Sequence, residues 1–248
     1  MSSSADRFEY TVRVSARARR VRLNVSASRG LVVIVPRGYD VRGAPAVIAQ
    51  HAEWVEHALA RNTERREHLF AHEGAPLPER VVLPGISASW RVVLRPGSGT
   101  GVRGQVRDGE VVLSGETGDH AACYDALRRA VARAARDRLP LMLGGVEAET
   151  GWRASAVSIR RQRTRWGSCN SRHAISLNES LVFLPPSLVR YVLVHELAHT
   201  KRLDHSPEFW ALVEKHDAAW RAQRRALADA WRHVPGWADP ALASGEDV

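Results

Sequence analysis

Tyr191-Val192-Leu193-Val194-His195-Glu196-Leu197-Ala198-His199 is the stretch on which the reading of this chain turns, and His205-Ser206 follows shortly after it. The pattern is H-E-x-x-H with a third histidine after five intervening residues. On an α-helix His195 and His199 stand one turn apart on one face, so both imidazoles can reach a single point from a rigid support. Two protein ligands are too few for a tight zinc site. His205 supplies a third beyond the end of the helix and leaves the fourth tetrahedral position to water, as a catalytic zinc requires. Glu196 can lie beside that water without touching the metal, which suits a general base. With eleven histidines in 248 residues, H-E-x-x-H arises by chance in roughly one such chain in thirty, and with the third histidine in roughly one in seven hundred. Leu188, Val189, Tyr191, Val192, Leu193 and Val194 make the helix apolar nearly all round, which marks it as buried. A buried helix carrying His, Glu and His needs a chemical reason.

At this length, with 44% hydrophobic residues, the chain can build a sizeable core. The opening Met1 to Arg7 is polar, and the longest aliphatic run, Leu31 to Val35, is far too short to span a bilayer. A cytoplasmic protein without a membrane partner is expected. Cys123 and Cys169 are the only cysteines and form no C-x-x-C pair, so neither a disulfide framework nor a thiolate zinc site is indicated. The net charge of +9, densest at Arg13, Arg17, Arg19, Arg20 and Arg22, raises nucleic acid as a partner. It is not favoured, because Arg20 to Val25 alternates like a half-buried strand with its charges in water.

The front of the chain reads as a three-strand meander over Phe8–Val14, Arg20–Ser26 and Leu31–Val35, then a helix from about Ala44 with Val47, Ile48, Val55 and Leu59 inward. His68 and His72 form a second i, i+4 pair, but no Glu follows His68 and no third ligand accompanies them. Strands are expected at Arg80–Leu83, Ala88–Leu94 and Glu110–Leu113. The glycine-rich Gly99 to Val106 between the last two matches G-x-G-x-x-G, but a strand rather than a helix follows, so it reads as a hairpin loop and not a phosphate cradle. A helix from His120 to about Glu149 should kink or end at Pro140. Two strands, Ala156–Arg160 and Ala174–Asn178, precede the metal helix, which Pro185-Pro186-Ser187 opens. Ser206 and Pro207 are the cap and first position of the next helix and place His205 in a tight turn. The strand Ala174–Asn178 is expected to rim the cleft, where an extended peptide could pair with its edge; Asn178 and Arg165 are the candidate substrate contacts.

R-W-G-S-C at 165–169, I-x-L-N at 175–178, Y-V-x-V-H-E-L-A-H at 191–199 and H-S-x-x-F-W at 205–210 resemble the YgjP-like metallopeptidase family, relatives of the SprT-like zincins. The resemblance is specific from about residue 156 to 230. It implies a zinc-dependent peptidase with His195, His199 and His205 as ligands and Glu196 as base. Asp204 departs from the family, which usually shows Asn there, and could add a carboxylate beside the third ligand. Metzincins share the histidine spacing but carry Gly where Arg202 stands and a downstream Met-turn, whereas Met1 and Met142 both precede the motif. The alternative is a metal-dependent nucleotide or phosphoester hydrolase using the same three histidines, as in YbeY-like endoribonucleases; those have a small residue in place of Glu196. A metal-stabilised binding module would want a fourth protein ligand, and none is evident. The expected architecture is α+β: a β-rich part with one helix over residues 1–117, a zincin-like catalytic part over 118–235, and a loose tail over 236–248. One Zn2+ per chain and a protein or peptide substrate complete the expectation.

Overall fold

Leu31–Val35 is buried along its whole length because it is the middle strand of a sheet. The computed structural model describes residues 7–16, 18–26, 30–60, 76–98 and 100–239. The chain divides into two compact units, Met1–Ala71 and His72–Val248. In the first, β1 (Tyr10–Val14), β2 (Arg22–Ser26) and β3 (Gly30–Val35) lie in the order β1-β3-β2. The expected meander is therefore corrected: β2 and β3 form an antiparallel hairpin, and β1 takes the other edge of β3 in parallel. Leu31, Val33 and Val35 pack with Ile48 of α1 (Ala44–Gln50) and Val55 of a second helical stretch, α2 (residues 52–60). Val32 and Ile34 cluster with Ala18 on the opposite face, so both faces of the run are covered. His68 lies outside the described residues, as does His72.

The second unit begins with a four-stranded sheet of β4 (Arg80–Leu83), β5 (Ala88–Pro96), β6 (Val102–Arg107) and β7 (Glu110–Gly115), ordered β4-β5-β7-β6. Asp108 and Gly109, at φ 50° and 75°, make the turn between β6 and β7, the left-handed pair that a two-residue hairpin favours. β6 passes through Gly104, where a Cβ would come within 3.1 Å of the Ala126 carbonyl. That glycine serves close packing of a helix on the sheet, not a phosphate.

The helix concerned is α3 (His120–Thr150), capped by the Asp119 side chain, which accepts from the Ala122 N–H. It covers the expected extent and continues through Pro140 to Thr150, where Gly151, at φ 74°, terminates it. Pro140 is only half-buried and the flanking Asp137, Arg138 and Leu141 are exposed, so water can satisfy the carbonyl that a proline leaves without a partner. Along its length α3 carries Ala126, Leu127 and Ala130, then Leu139, Leu143 and Val146, into one continuous core.

That core continues into the elements of the motif: β8 (Ala156–Arg160), β9 (Gly167–Cys169), β10 (Ala174–Asn178), α4 (Pro186–Ala198), α5 (Pro207–His216) and α6 (Trp220–Ala228). The four-stranded sheet thus belongs with the motif-bearing helix, and the compact units divide after residue 71, whereas the expected β-rich part ran to residue 117. Within the second unit, Gly85 shows how tightly the segment between β4 and β5 packs against the motif-bearing helix: a Cβ there would lie 2.5 Å from the Leu181 carbonyl oxygen and 2.9 Å from Val189 of α4. The architecture is α+β. Among the described residues, no helix is long and apolar enough to cross a membrane.

Candidate metal centre

Nine of the thirteen residues of α4 are buried, so the helix is gripped on all sides and its polar face has one place to go. His195 lies near its C-terminal end and His199 is the residue that caps it. The helix stops there because the chain turns sharply: the N–H groups of Lys201 and Arg202 both reach the Ala198 carbonyl. Ser206 starts α5, its hydroxyl accepting from the Phe209 N–H. The intervening turn brings His205 back over α4. Asp204 is exposed and accepts from the N–H and the hydroxyl of Ser206, at 3.3 and 2.7 Å, while Arg202 lies against both Asp204 and Glu208. Asp204 therefore builds the turn that carries His205.

His195, His199 and His205 each offer a nitrogen, and these atoms lie within 4.8 Å of one another. The Nε2 atoms of His195 and His205 face each other at 3.2 Å. Two nitrogens on a tetrahedral zinc, each at 2.0–2.1 Å, are about 3.4 Å apart, so the donor set fits such an ion. His199 Nδ1 lies 2.9 Å from the Arg202 carbonyl; since a carbonyl only accepts, Nδ1 carries the proton and the Nε2 lone pair is left for a metal. Burial lowers the His195 pKa to about 3, with His199, His205 and Arg224 acting in the same direction. His205 is also lowered, first by burial and then by His199 and Arg224. Neutral imidazole is the form that ligates.

Glu196 and His195 line one cavity of about 120 Å³, together with Trp166, Gly167, Tyr191, Val192 and Leu227. Glu196 is buried, and its Oε2 has no hydrogen-bond partner among the described residues. Burial pushes its pKa up to about 8, with the Arg165 guanidinium pulling against that rise. Gly167 on β9 is what makes room for it: a Cβ there would fall 2.7 Å from both Cγ and Oε1 of Glu196. A glycine inside a strand signals such an approach, and this was the readable sign of a residue that the sequence marks only as part of R-W-G-S-C.

Asn178 is fully buried. Its amide nitrogen donates to the Gln162 and Arg165 carbonyls, both at 2.8 Å, and its oxygen accepts from the Ser180 N–H. With its donors and acceptor committed to backbone, Asn178 orders the 162–166 loop leading into β9 and does not reach a substrate. The strand it ends, β10, lies between β8 and β9 with both edges paired, which overturns the expectation that a peptide adds to it. Arg165 is exposed, beside Ser158, Arg160, Ser168 and Asn170 along a cleft of about 340 Å³. Burial, with Glu196 nearby, raises the Cys169 thiol to about 11, so it is protonated and no nucleophile. Aromatic rings complete the surroundings. Trp166 stacks on Trp231 at 4.4 Å, and Trp210 lies 5.5 Å from His205 and 5.8 Å from His195.

A family model described as YgjP-like, metallopeptidase domain, matches residues 19–230. No curated protein and no solved structure matches the chain.

Proposed function

The chain belongs to the YgjP-like metallopeptidase family, and from that premise we propose that it hydrolyses peptide bonds at a zinc ion held by His195, His199 and His205, with Glu196 as general base. The observation that carries this reading is the convergence of three imidazole nitrogens beside a cavity that also receives a buried, unpartnered carboxylate oxygen. A metal-dependent peptidase is what the family supplies; the identity of the metal and the roles of the residues are our reading. When bound, zinc polarises a carbonyl oxygen and lowers the pKa of water toward about 7.

The chain's own residues do the rest. The Arg202 carbonyl holds the His199 tautomer, and the buried α4 holds His195 and Glu196 in fixed relation. Glu196 takes the proton from the attacking water and returns it to the leaving amine. Its raised affinity for protons makes it a competent acceptor and donor near neutrality. The peptide-pairing role expected of β10 passes to β9, which among the described residues pairs with β10 alone and carries Gly167 at the cavity.

Gly167→Ala tests the placement of Glu196. The added methyl occupies the space of the carboxylate, and a displacement of about 1 Å in a catalytic group costs on the order of 100-fold. We expect that loss in kcat with metal content unchanged. Full activity in a folded, metal-loaded variant would show that Glu196 does not work from this position.

A further inference from the structure

Helix α6 carries an arrangement that neither its stability nor the chemistry above explains. Arg221, Arg224 and Arg225 follow one another at spacings of three and four residues or one, and with Trp220 and Ala228 they line a groove of about 490 Å³. Like charges three or four residues apart on a helix repel and weaken it. Arg221 is neutralised by Glu214 at 2.5 Å and lies over the Trp220 ring. Arg224 and Arg225 pair with no carboxylate among the described residues. Arg224 is instead laid over the Trp210 ring, 4.8 Å from its centre, and Trp210 stacks on Trp220 at 4.3 Å and 11°. A cation over a ring keeps its planar N–H edge available for hydrogen bonding.

Trp210 is also the ring that lies against His205 and His195. It lies 5.5 Å from His205 and 4.8 Å from the Arg224 guanidinium, so a chain running from the histidine cluster over this ring reaches Arg224 within about three residues, residues in an extended peptide being about 3.3 Å apart. We propose that this groove selects the substrate: Arg224 and Arg225 bind the carboxylate of an acidic side chain placed two or three residues from the scissile bond. The inference rests on the peptidase reading. A planar carboxylate matches the guanidinium fork in shape and charge. Two arginines without a carboxylate partner among the described residues suit one such group, whereas a nucleic acid needs a track of many phosphate contacts.

The test uses full-length, zinc-loaded protein in two arms. In the first, fluorescein-labelled alanine-rich ten-residue peptides carrying one Glu, one Gln or one Lys at the same position are titrated into Glu196→Gln protein and followed by anisotropy. The Glu peptide is expected to bind about 10-fold more tightly than the Gln peptide, with the difference shrinking in high salt. Arg224→Glu should remove or invert the preference, and Arg225→Glu provides the same readout if Arg224→Glu does not fold. In the second arm, wild-type protein cleaves a mixed peptide library read by mass spectrometry. Acidic residues should be enriched within three positions of the cut. Cleavage with no acidic enrichment, or equal binding of the three peptides, overturns the inference and leaves the peptidase reading intact. Tighter binding of a labelled oligonucleotide than of the Glu peptide also overturns it. Failure to cut any library peptide counts against the peptidase reading, while the anisotropy arm still decides the groove.

Discussion

Glu196→Gln is expected to keep the bound metal and the fold while peptide hydrolysis falls by about 100-fold or more, the usual scale for a positioned general base. Glutamine has the shape of the side chain it replaces, so it fits the space that Gly167 leaves and the walls that Trp166, Tyr191 and Leu227 provide. The three imidazoles do not involve Glu196 in their own geometry, so the ligand set is intact. What disappears is a group able to take a proton from water and return it to an amine. Zinc content and hydrolysis measured on the same preparation separate the readings: a phosphohydrolase depending on Arg165 would tolerate the change better, and a binding module has no turnover to lose. Undiminished hydrolysis with metal bound would sink the mechanism proposed for Glu196.

The second large effect is on the metal itself. Wild-type protein is expected to carry about one zinc per chain, and His199→Ala to lose nearly all of it on dialysis, with activity falling to background. His199 is buried and oriented by the Arg202 carbonyl, and among the described residues no other His, Cys, Asp or Glu joins the cluster to replace it. His205→Ala should behave in the same way. Because α4 is held by apolar packing, both variants should remain folded, with a lower melting temperature in excess zinc because the stabilisation by bound ion is gone. Atomic absorption on dialysed protein gives the answer; a full complement of zinc in His205→Ala would move the third ligand elsewhere.

The parts of this molecule that could be read in advance are those written in local code. H-E-x-x-H states its own spacing on a helix, Ser206-Pro207 is a cap followed by a first-turn proline, and Ala156–Arg160 and Ala174–Asn178 were legible as strands to the residue. Pairing was not legible, because which strand lies beside which is decided by contacts far apart in sequence. That is why β1 joins β3 instead of β2, and why β10, which looks like a rim, is flanked on both sides. The three residues of β9 were too few to show as a strand. Asn178 misled for a related reason: an asparagine at the end of a strand looks available to a ligand, and only the folded loop reveals that its amide is already spent on Gln162, Arg165 and Ser180. Arg224 is far from the motif in sequence, and only the fold lays it over the Trp210 ring beside the histidines.

The contrast between α4 and the turn that follows it has a consequence for how the site breathes. Amide protons of residues buried and hydrogen-bonded inside a core exchange with solvent only when the whole unit opens, whereas those of an exposed turn exchange through small local openings. Val192 to Ala198 belong to the first kind and Arg202 to His205, all exposed, to the second. The three histidines therefore straddle the slowest-opening and the fastest-opening parts of the same unit. His205 can swing away and return many times for each occasion on which His195 and His199 lose their places, so the site comes apart and reassembles at one corner, at the tempo of a surface turn and without the fold being undone.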